Sequence, residues 1–462
     1  MRLEAIWQVE GTLKTVTPLH LGDGRARKAP GSDGGEIQTA AKTQDGRARI
    51  PGSSLKGVVR AGFGEGDAAA DEMFGLEQQG GLAQFLDAYS QEKLDWGKLV
   101  LGRTKIDELT GAAQDHLLFH LEVVPAGTRF QVRVRGKTFG ERRWQDAAAL
   151  VDMGMRRFDA RTIRLGAGES NNWGQCTWTL DDVRVMDTEA RAAWLANPEP
   201  LDSALGKLKN RKEELGSRTP ATVARGKTLS LVLRFDGHPF LVNDPSETGK
   251  KGSDKNAHAA RRTPDGRLLL PAESFRGVLA HQAARIARTR GKNGERDGVA
   301  RDATGQLPGR DSVTRLFGSA GWGSTIEATD FVEASRPGHR FPAEAYVQEF
   351  LAVDRFTGGG SEQRKFDAKG GWEPVLAGAL TVNLERLRAM GKLEPALGLL
   401  ALTLRDLAEG DLAFGWGSGK GYGWAHVETG GVDAVDWVEQ VLAGWGDGNV
   451  MDWISAWEAS NG

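Results

Sequence analysis

The sequence predicts an α+β chain built as two tandem ferredoxin-like units with loop insertions, followed by a C-terminal helical tail. Three observations carry this expectation. Five landmarks recur in the same order in the two halves. Strand-like alternation is mixed with short amphipathic helical runs in each half. After about residue 430, Trp and aliphatic side chains return at helical spacing.

The landmarks come in chain order. Each half opens a polar loop with Gly-Ser-Asp, at 31–33 and 252–254. An Asp-Gly-Arg turn then leads through Pro into a helical run, "RIPGSSLKGVVR" (49–60) and "LLPAESFRGVLA" (269–280). Met73-Phe74-Gly75 answers to Leu316-Phe317-Gly318, and "IDELTG" (106–111) to "VDRFTG" (353–358). The glycine-rich "LGAGESNNWGQCTW" (165–178) answers to "FGWGSGKGYGWAHV" (414–427). The domains expected from this pattern are 1–190, a polar linker at 191–226 with proline and charge, 227–430, and a helical tail at 431–462.

The elements follow local rules. Residues 3–22 alternate apolar and polar side chains and read as a strand, with 228–242 as its counterpart in the second half. Residues 53–63 and 273–288 start on Ser or Glu and return apolar residues every three to four positions, as helices do. Residues 116–136 and 374–384 read as strands, and 386–409 as largely helical. A strand, helix, strands, helix order at this size is that of a ferredoxin-like unit.

Composition narrows the function. The chain has 462 residues, 39% hydrophobic and 26% charged, with 62 glycines in scattered clusters. At roughly 150 residues per domain, that length holds two or three domains. The net charge of −2 means that a nucleic-acid binder must gather its Lys and Arg on one face. Cys176 is the single cysteine, which excludes an internal disulfide, a zinc ribbon and a CxxC redox pair, and suits a reducing cytoplasm. The N-terminal stretch does not read as a signal peptide, and no apolar run approaches a membrane span.

The Pro turns carry the first candidate residues. Ser53, Ser54, Lys56 and Arg60 in the first copy, and Ser274 and Arg276 in the second, lie on a helix start whose free N–H groups suit a phosphate. Lys56 and Arg60, four apart, share a helix face. An isolated copy reads as a capped helix with solvated cations, and duplication of the whole pattern favours a functional surface. The glycine-rich "GWGSGKGYGW" is not a P-loop, because Lys420 is followed by Gly421. It reads either as a turn or as bare backbone on which a sugar-phosphate chain lies, with Lys420 nearby and Tyr422 or Trp424 for stacking. Asn171, Asn172 and Trp173 stand in the first copy.

Asp33 and Asp254 are the candidate catalytic and metal-binding groups, with Glu36 an alternative in the first copy. A loop carboxylate beside a phosphate surface repels its ligand unless it holds a divalent ion or helps to deprotonate an attacking 2′-hydroxyl. His116 and His120 are four apart in a strand-like segment, which disfavours a shared metal. His20 is either a general base or a strand-end residue, and the second copy has Phe240 near that place.

The Pro turn with the following Met-Phe-Gly, the "IDELTG" segment and the glycine-rich end resembles the RAMP superfamily of CRISPR-associated proteins. It is most similar to backbone subunits of type III effector complexes, and the two halves resemble a fusion of two such subunits of the III-D kind. The resemblance implies an RRM-like ferredoxin core in each half that grips guide crRNA through the Pro-turn helix and the glycine-rich segment. It implies a thumb insertion that starts at "IDELTG" and "VDRFTG" and kinks the guide–target duplex. It also implies metal-dependent cutting of target RNA at Asp33 and Asp254, with Mg or Mn, no zinc and no organic cofactor. The implied partners are crRNA, target RNA and other effector subunits, and no membrane. A non-catalytic scaffold and a metal-independent nuclease that processes the guide precursor are the alternatives. The second turn lacks Gly-Ser-Ser and carries Glu273 beside Arg276.

Overall fold

The computed structural model describes residues 2–28, 36–63, 66–76, 79–106, 113–216, 226–244, 258–263, 265–290, 312–319 and 322–460. The chain divides into two compact units, Met1–Glu169 with Trp173–Ala224, and Ser170–Asn172 with Arg225–Gly462.

In the first unit the strand Leu3–Thr15 lies at the centre of the main sheet. It pairs antiparallel with Arg129–Phe139 on one side and Cys176–Met186 on the other, and Ala88–Ser90 and Arg49–Ile50 continue beyond Arg129–Phe139. Counting the four strands of the ferredoxin-like unit in chain order, they stand fourth, first, third, second. The helices Gly52–Ala61 and Trp144–Arg156 cover one face, burying Leu55 and Val59 from the first and Ala148, Val151 and Met155 from the second. Gly136 and Gly11 leave room for the rings of Trp7 and Trp178, which lie across the strands where side chains would otherwise stand.

The second unit repeats this order. Trp424–Val427, Lys227–Arg234, Val375–Val382 and Phe331–Glu333 stand fourth, first, third, second, with Leu269–Leu270 at the edge and Leu412–Ala413 added beyond Trp424–Val427. The helices Ala272–Arg290 and Leu393–Glu409 take the places of the two covering helices. The tandem ferredoxin-like, α+β architecture is therefore that expected from the sequence.

Each unit adds a second sheet. In the first it runs Gly22–Lys28, Glu36–Ala40, Ala113–Glu122, Val100–Ile106. In the second it is built around a long hairpin, Glu344–Val353 with Gly360–Trp372, which pairs with Pro239–Phe240 and His258–Ala259.

The tail helices Ala434–Val441 and Val450–Ser460 bury Trp437, Trp453 and Trp457 in the core of the second unit. Gly398 permits this, because a Cβ there would overlap the carbonyl oxygen of Trp453. Within the stretch expected as a linker, Leu201–Gly206 is a helix that buries Leu205 against Ile6 and Met186. Cys176 is buried and its thiol is pushed up to about 12 by desolvation, so it offers no thiolate at neutral pH. No helix among the described residues is long and apolar enough to cross a membrane.

Candidate functional site

The Asp-Gly-Arg turns repeat atom for atom. In each, the Thr hydroxyl (Thr43, Thr263) donates to the Asp carboxylate (Asp45, Asp265) and accepts from the Arg amide (Arg47, Arg267) at 3.1 Å. The Arg Nε closes on the same Asp at 3.2 Å and 2.7 Å. These turns aim the chain into the Pro-started helices, where Pro51 takes φ −59 and ψ 133.

The helix starts differ from the phosphate site expected of them. The Gly52 amide donates to Asp87 Oδ1 at 2.9 Å, and the Ala272 amide to Asp330 Oδ1 at 2.9 Å. A protein carboxylate already takes the first free N–H in both copies, and a phosphate there would meet it at close range. Ser53 is exposed, and Ser54 and Ser274 are half-buried. Arg60 is ion-paired with Asp71 from the next helix. Arg276, which stands where the first copy has Lys56, donates to the Phe317 carbonyl at 3.1 Å. Burial lowers its pKa to about 10, so it stays charged but serves the fold. Lys56 is half-buried, with no ion pair to a described residue.

The glycine-rich loops share one backbone path. Left-handed φ falls at Gly166, Gly168, Asn172 and Gly174 in the first unit, and at Gly415, Gly417, Gly421 and Gly423 in the second. Cβ atoms at Gly174 and Gly423 would overlap the carbonyl oxygens of Leu165 and Phe414, so these glycines serve close backbone packing. Tyr422 is fully buried, its hydroxyl donating to Gln348 Oε1 at 3.0 Å, and burial pushes its pKa up to about 12. It is a core residue and cannot stack on a base, contrary to the sequence-based expectation. Trp173, its counterpart, is buried too and lies under the Arg103 guanidinium at 4.1 Å. Asn171 ends a short 3-10 turn. Exposed groups of the second loop include Lys420, with Nζ 5.2 Å from the Trp416 ring centre, and Trp424, whose Nε1 donates to the Ser418 carbonyl at 3.1 Å. His258 packs on Trp416 at 4.8 Å, and burial followed by the Lys420 charge lowers its pKa.

Asp33 and Asp254 lie outside the described residues, as do Asp107 to Gly111 of the "IDELTG" segment. The strands Gly22–Lys28 and Glu36–Ala40 flank the Asp33 segment, and Glu36 is exposed at the start of the second strand. His20 is buried with Nδ1 2.7 Å from the Glu122 carbonyl oxygen. Its structural counterpart is Leu241, since Ala167 and Trp416 donate to the carbonyls of His20 and Leu241. Burial leaves His20 poorly placed as a base. His116 and His120 belong to the strand Ala113–Glu122, which removes the helical spacing a shared metal needs. Among the described residues, Asp406, Glu409 and Asp411 could share an ion, but Arg405 already pairs with Asp406 at 2.7 Å and Glu409 at 3.7 Å.

Two further features come from the structure, the first with no sequence signal and the second within the "VDRFTG" segment (353–358) that the repeat marks. The first is a carboxylate hub. The Glu122 side chain has no solvent exposure, and it accepts from Arg27 Nε at 3.1 Å, Lys42 Nζ at 2.6 Å and the Ala40 amide at 3.1 Å. Burial opposes its charge, and the hydrogen bonds from Lys42, Ala40 and Arg27 outweigh that and hold its pKa below the usual carboxylate range. Desolvation costs several kcal/mol per ion, so the carboxylate depends on Lys42, the Ala40 amide and Arg27 together.

The second feature is the tip of the hairpin in the second unit. Asp354 Oδ1 accepts from the Phe356 amide at 3.0 Å, the Thr357 amide at 2.8 Å and the Thr357 hydroxyl at 3.0 Å. This fixed turn holds Phe356 at 100% exposure. Val347, Leu351 and Val353 are also exposed along the same hairpin. A single exposed apolar residue is ordinary, but a fully exposed ring on a braced tip suits insertion into a partner.

The model of the RAMP superfamily matches residues 12–177 and 218–426. No curated protein matches the chain significantly. With the family model matching far more than half its length, this chain belongs to the RAMP superfamily.

Proposed function

We propose that the chain is a double backbone subunit of a type III CRISPR effector complex. In this reading it binds crRNA through both units and cuts guide-paired target RNA at Asp33 and Asp254. Membership of the RAMP superfamily fits a CRISPR effector subunit that binds RNA. The observation that carries the rest is that each half is a complete unit, with the same strand order, the same Thr-Asp-Arg turn and the same four left-handed positions. Two such units in one chain give two guide-binding surfaces and two loops that hold a candidate carboxylate.

Phe356 supports the thumb role of its hairpin. A rigid apolar tip between bases opens the stack, and a splayed nucleotide reaches the in-line geometry that A-form stacking denies it. Guide pairing then supplies the sequence specificity, while the protein reads A-form shape and phosphates.

The donor chemistry fits Mg or Mn better than zinc. Loop carboxylates are hard oxygen ligands, whereas the one thiol is buried and protonated. A divalent ion at Asp33 or Asp254 would supply charge neutralisation at the scissile phosphate. In this reading the role of each Asp is to hold that ion and to orient the attacking 2′-hydroxyl.

The test is an assembled complex carrying Asp33→Ala or Asp254→Ala. Each change is expected to remove one cut and leave target binding intact. Unchanged cutting by both variants refutes the catalytic assignment. A wild-type complex that cuts nothing in the presence of divalent ions is a scaffold.

A further inference from the structure

The Glu122 hub is not required by the fold. In the first unit Leu19 bridges Val124, and in the second its counterpart Phe240 pairs with Gly371. Two residues before these partners stand Glu122 and Lys369. The second unit thus builds the same sheet with an exposed cation where the first buries a carboxylate. Arg262, at the place of Lys42, donates instead to the Gly266 carbonyl at 2.7 Å.

What the hub does is hold two cations still. Arg27 and Lys42 cover the carboxylate, yet their side chains keep 40% and 28% exposure. Lys42 commits one of three donors to Glu122 and Arg27 two of five, so among the described residues the remaining donors are left to water or to an anion. Lys42 is further fixed above the Trp96 ring at 4.8 Å. The strand that bears Arg27 also exposes Arg25 and Lys28. Its one acid, Asp23, is exposed and accepts from the Thr39 hydroxyl at 2.5 Å and the Arg25 amide at 2.9 Å. A preorganised pair of cations on a cationic ribbon is a site for a tetrahedral dianionic or monoanionic oxyanion.

We propose that Arg27 and Lys42, positioned by Glu122, form a phosphate clamp that binds a backbone phosphodiester of RNA in the first unit and has no equivalent in the second. The proposal rests on the RNA-binding reading above and adds to it a specific ligand group and three residues. The clamp makes the first unit the more salt-sensitive of the two.

The experiment measures binding of the full chain to a labelled single-stranded RNA as a function of salt. For single strands the slope of log K against log salt falls by about 0.7 for each phosphate that the protein ceases to neutralise. Lys42→Gln and Arg27→Gln are each expected to reduce the slope by about that amount. Lys42→Arg is expected to restore it. Glu122→Gln keeps both cations while loosening them, so it should lower affinity and leave the slope near wild type. Arg47→Gln, on the Thr-Asp-Arg turn, is the control and should change neither.

Thermal melting of each variant separates a folding defect from a binding one. If Lys42→Gln and Arg27→Gln do not fold, Glu122→Gln still reports on the clamp, and wild-type affinity in that variant overturns it. Wild-type slopes in Lys42→Gln and Arg27→Gln overturn the clamp and leave the RNA-binding reading standing. A wild-type chain that binds no RNA overturns both.

Discussion

Phe356→Ala separates function from stability cleanly. The ring is fully exposed, so its removal takes no buried apolar area from the fold. A surface change of this kind alters stability by no more than about 0.5 kcal/mol. The turn also survives, because Asp354 holds the amides of residues 356 and 357, which Ala retains. If the ring stacks between bases, its loss costs about 1–3 kcal/mol of binding. That is a fall in affinity of about five- to 150-fold, from about 1.4 kcal/mol per factor of ten. The assay is binding of labelled target RNA by a guide-loaded complex, beside calorimetric melting of the same preparation. Phe356→Trp should preserve affinity, since it keeps a stacking face. Unchanged affinity with unchanged melting refutes the wedge. A large drop in melting temperature refutes the premise that the ring is free of the fold.

Two further outcomes test the site's framework. Gly423→Ala forces a left-handed residue and an overlap with the Phe414 carbonyl, so it should destabilise the second unit by about 2–5 kcal/mol in urea titration. Gly419→Ala, which meets open space, should be near neutral by the same measurement. Asp330 has its carboxyl pKa raised, chiefly by burial, so the folded state holds its proton to higher pH than the unfolded state does. Stability contributed by the protonated form is present at low pH and is lost as pH rises from the ordinary carboxylate range through the folded pKa. Asp330→Asn keeps an acceptor for the Ala272 amide and removes the charge. Its melting temperature should exceed that of wild type at neutral pH and converge with it in acid.

Features that depend on neighbouring residues were legible in the sequence. Positive φ at Gly166, Gly168 and Gly174, and at Gly415, Gly417 and Gly423, demands glycine where it occurs. The Thr-Asp-Gly-Arg hydrogen bonds close within five residues. Such requirements are written into the chain at the point where they apply, so the duplication and the ferredoxin-like order followed from them. The Trp spacing of the tail was legible for the same reason, since a helix repeats its buried face every three to four residues.

The fate of individual side chains was decided at long range. Tyr422 stands among glycines that suggest an open loop, and it is buried because the hairpin Glu344–Val353 brings Gln348 to its hydroxyl. Arg60 and Arg276 look free on their helices, and Asp71 and the Phe317 carbonyl claim them only once the next helix packs. Asp87 and Asp330 arrive at the helix starts from strand ends well downstream and close sites that the local pattern leaves open. Glu122 draws Arg27 and Lys42 from separate segments onto one buried carboxylate. The sequence by itself determined that the chain holds two similar α+β units and where their turns lie, because backbone demands are local. Which cations remain available to a ligand was determined by tertiary structure, because a charge is claimed by whichever partner the fold brings within reach.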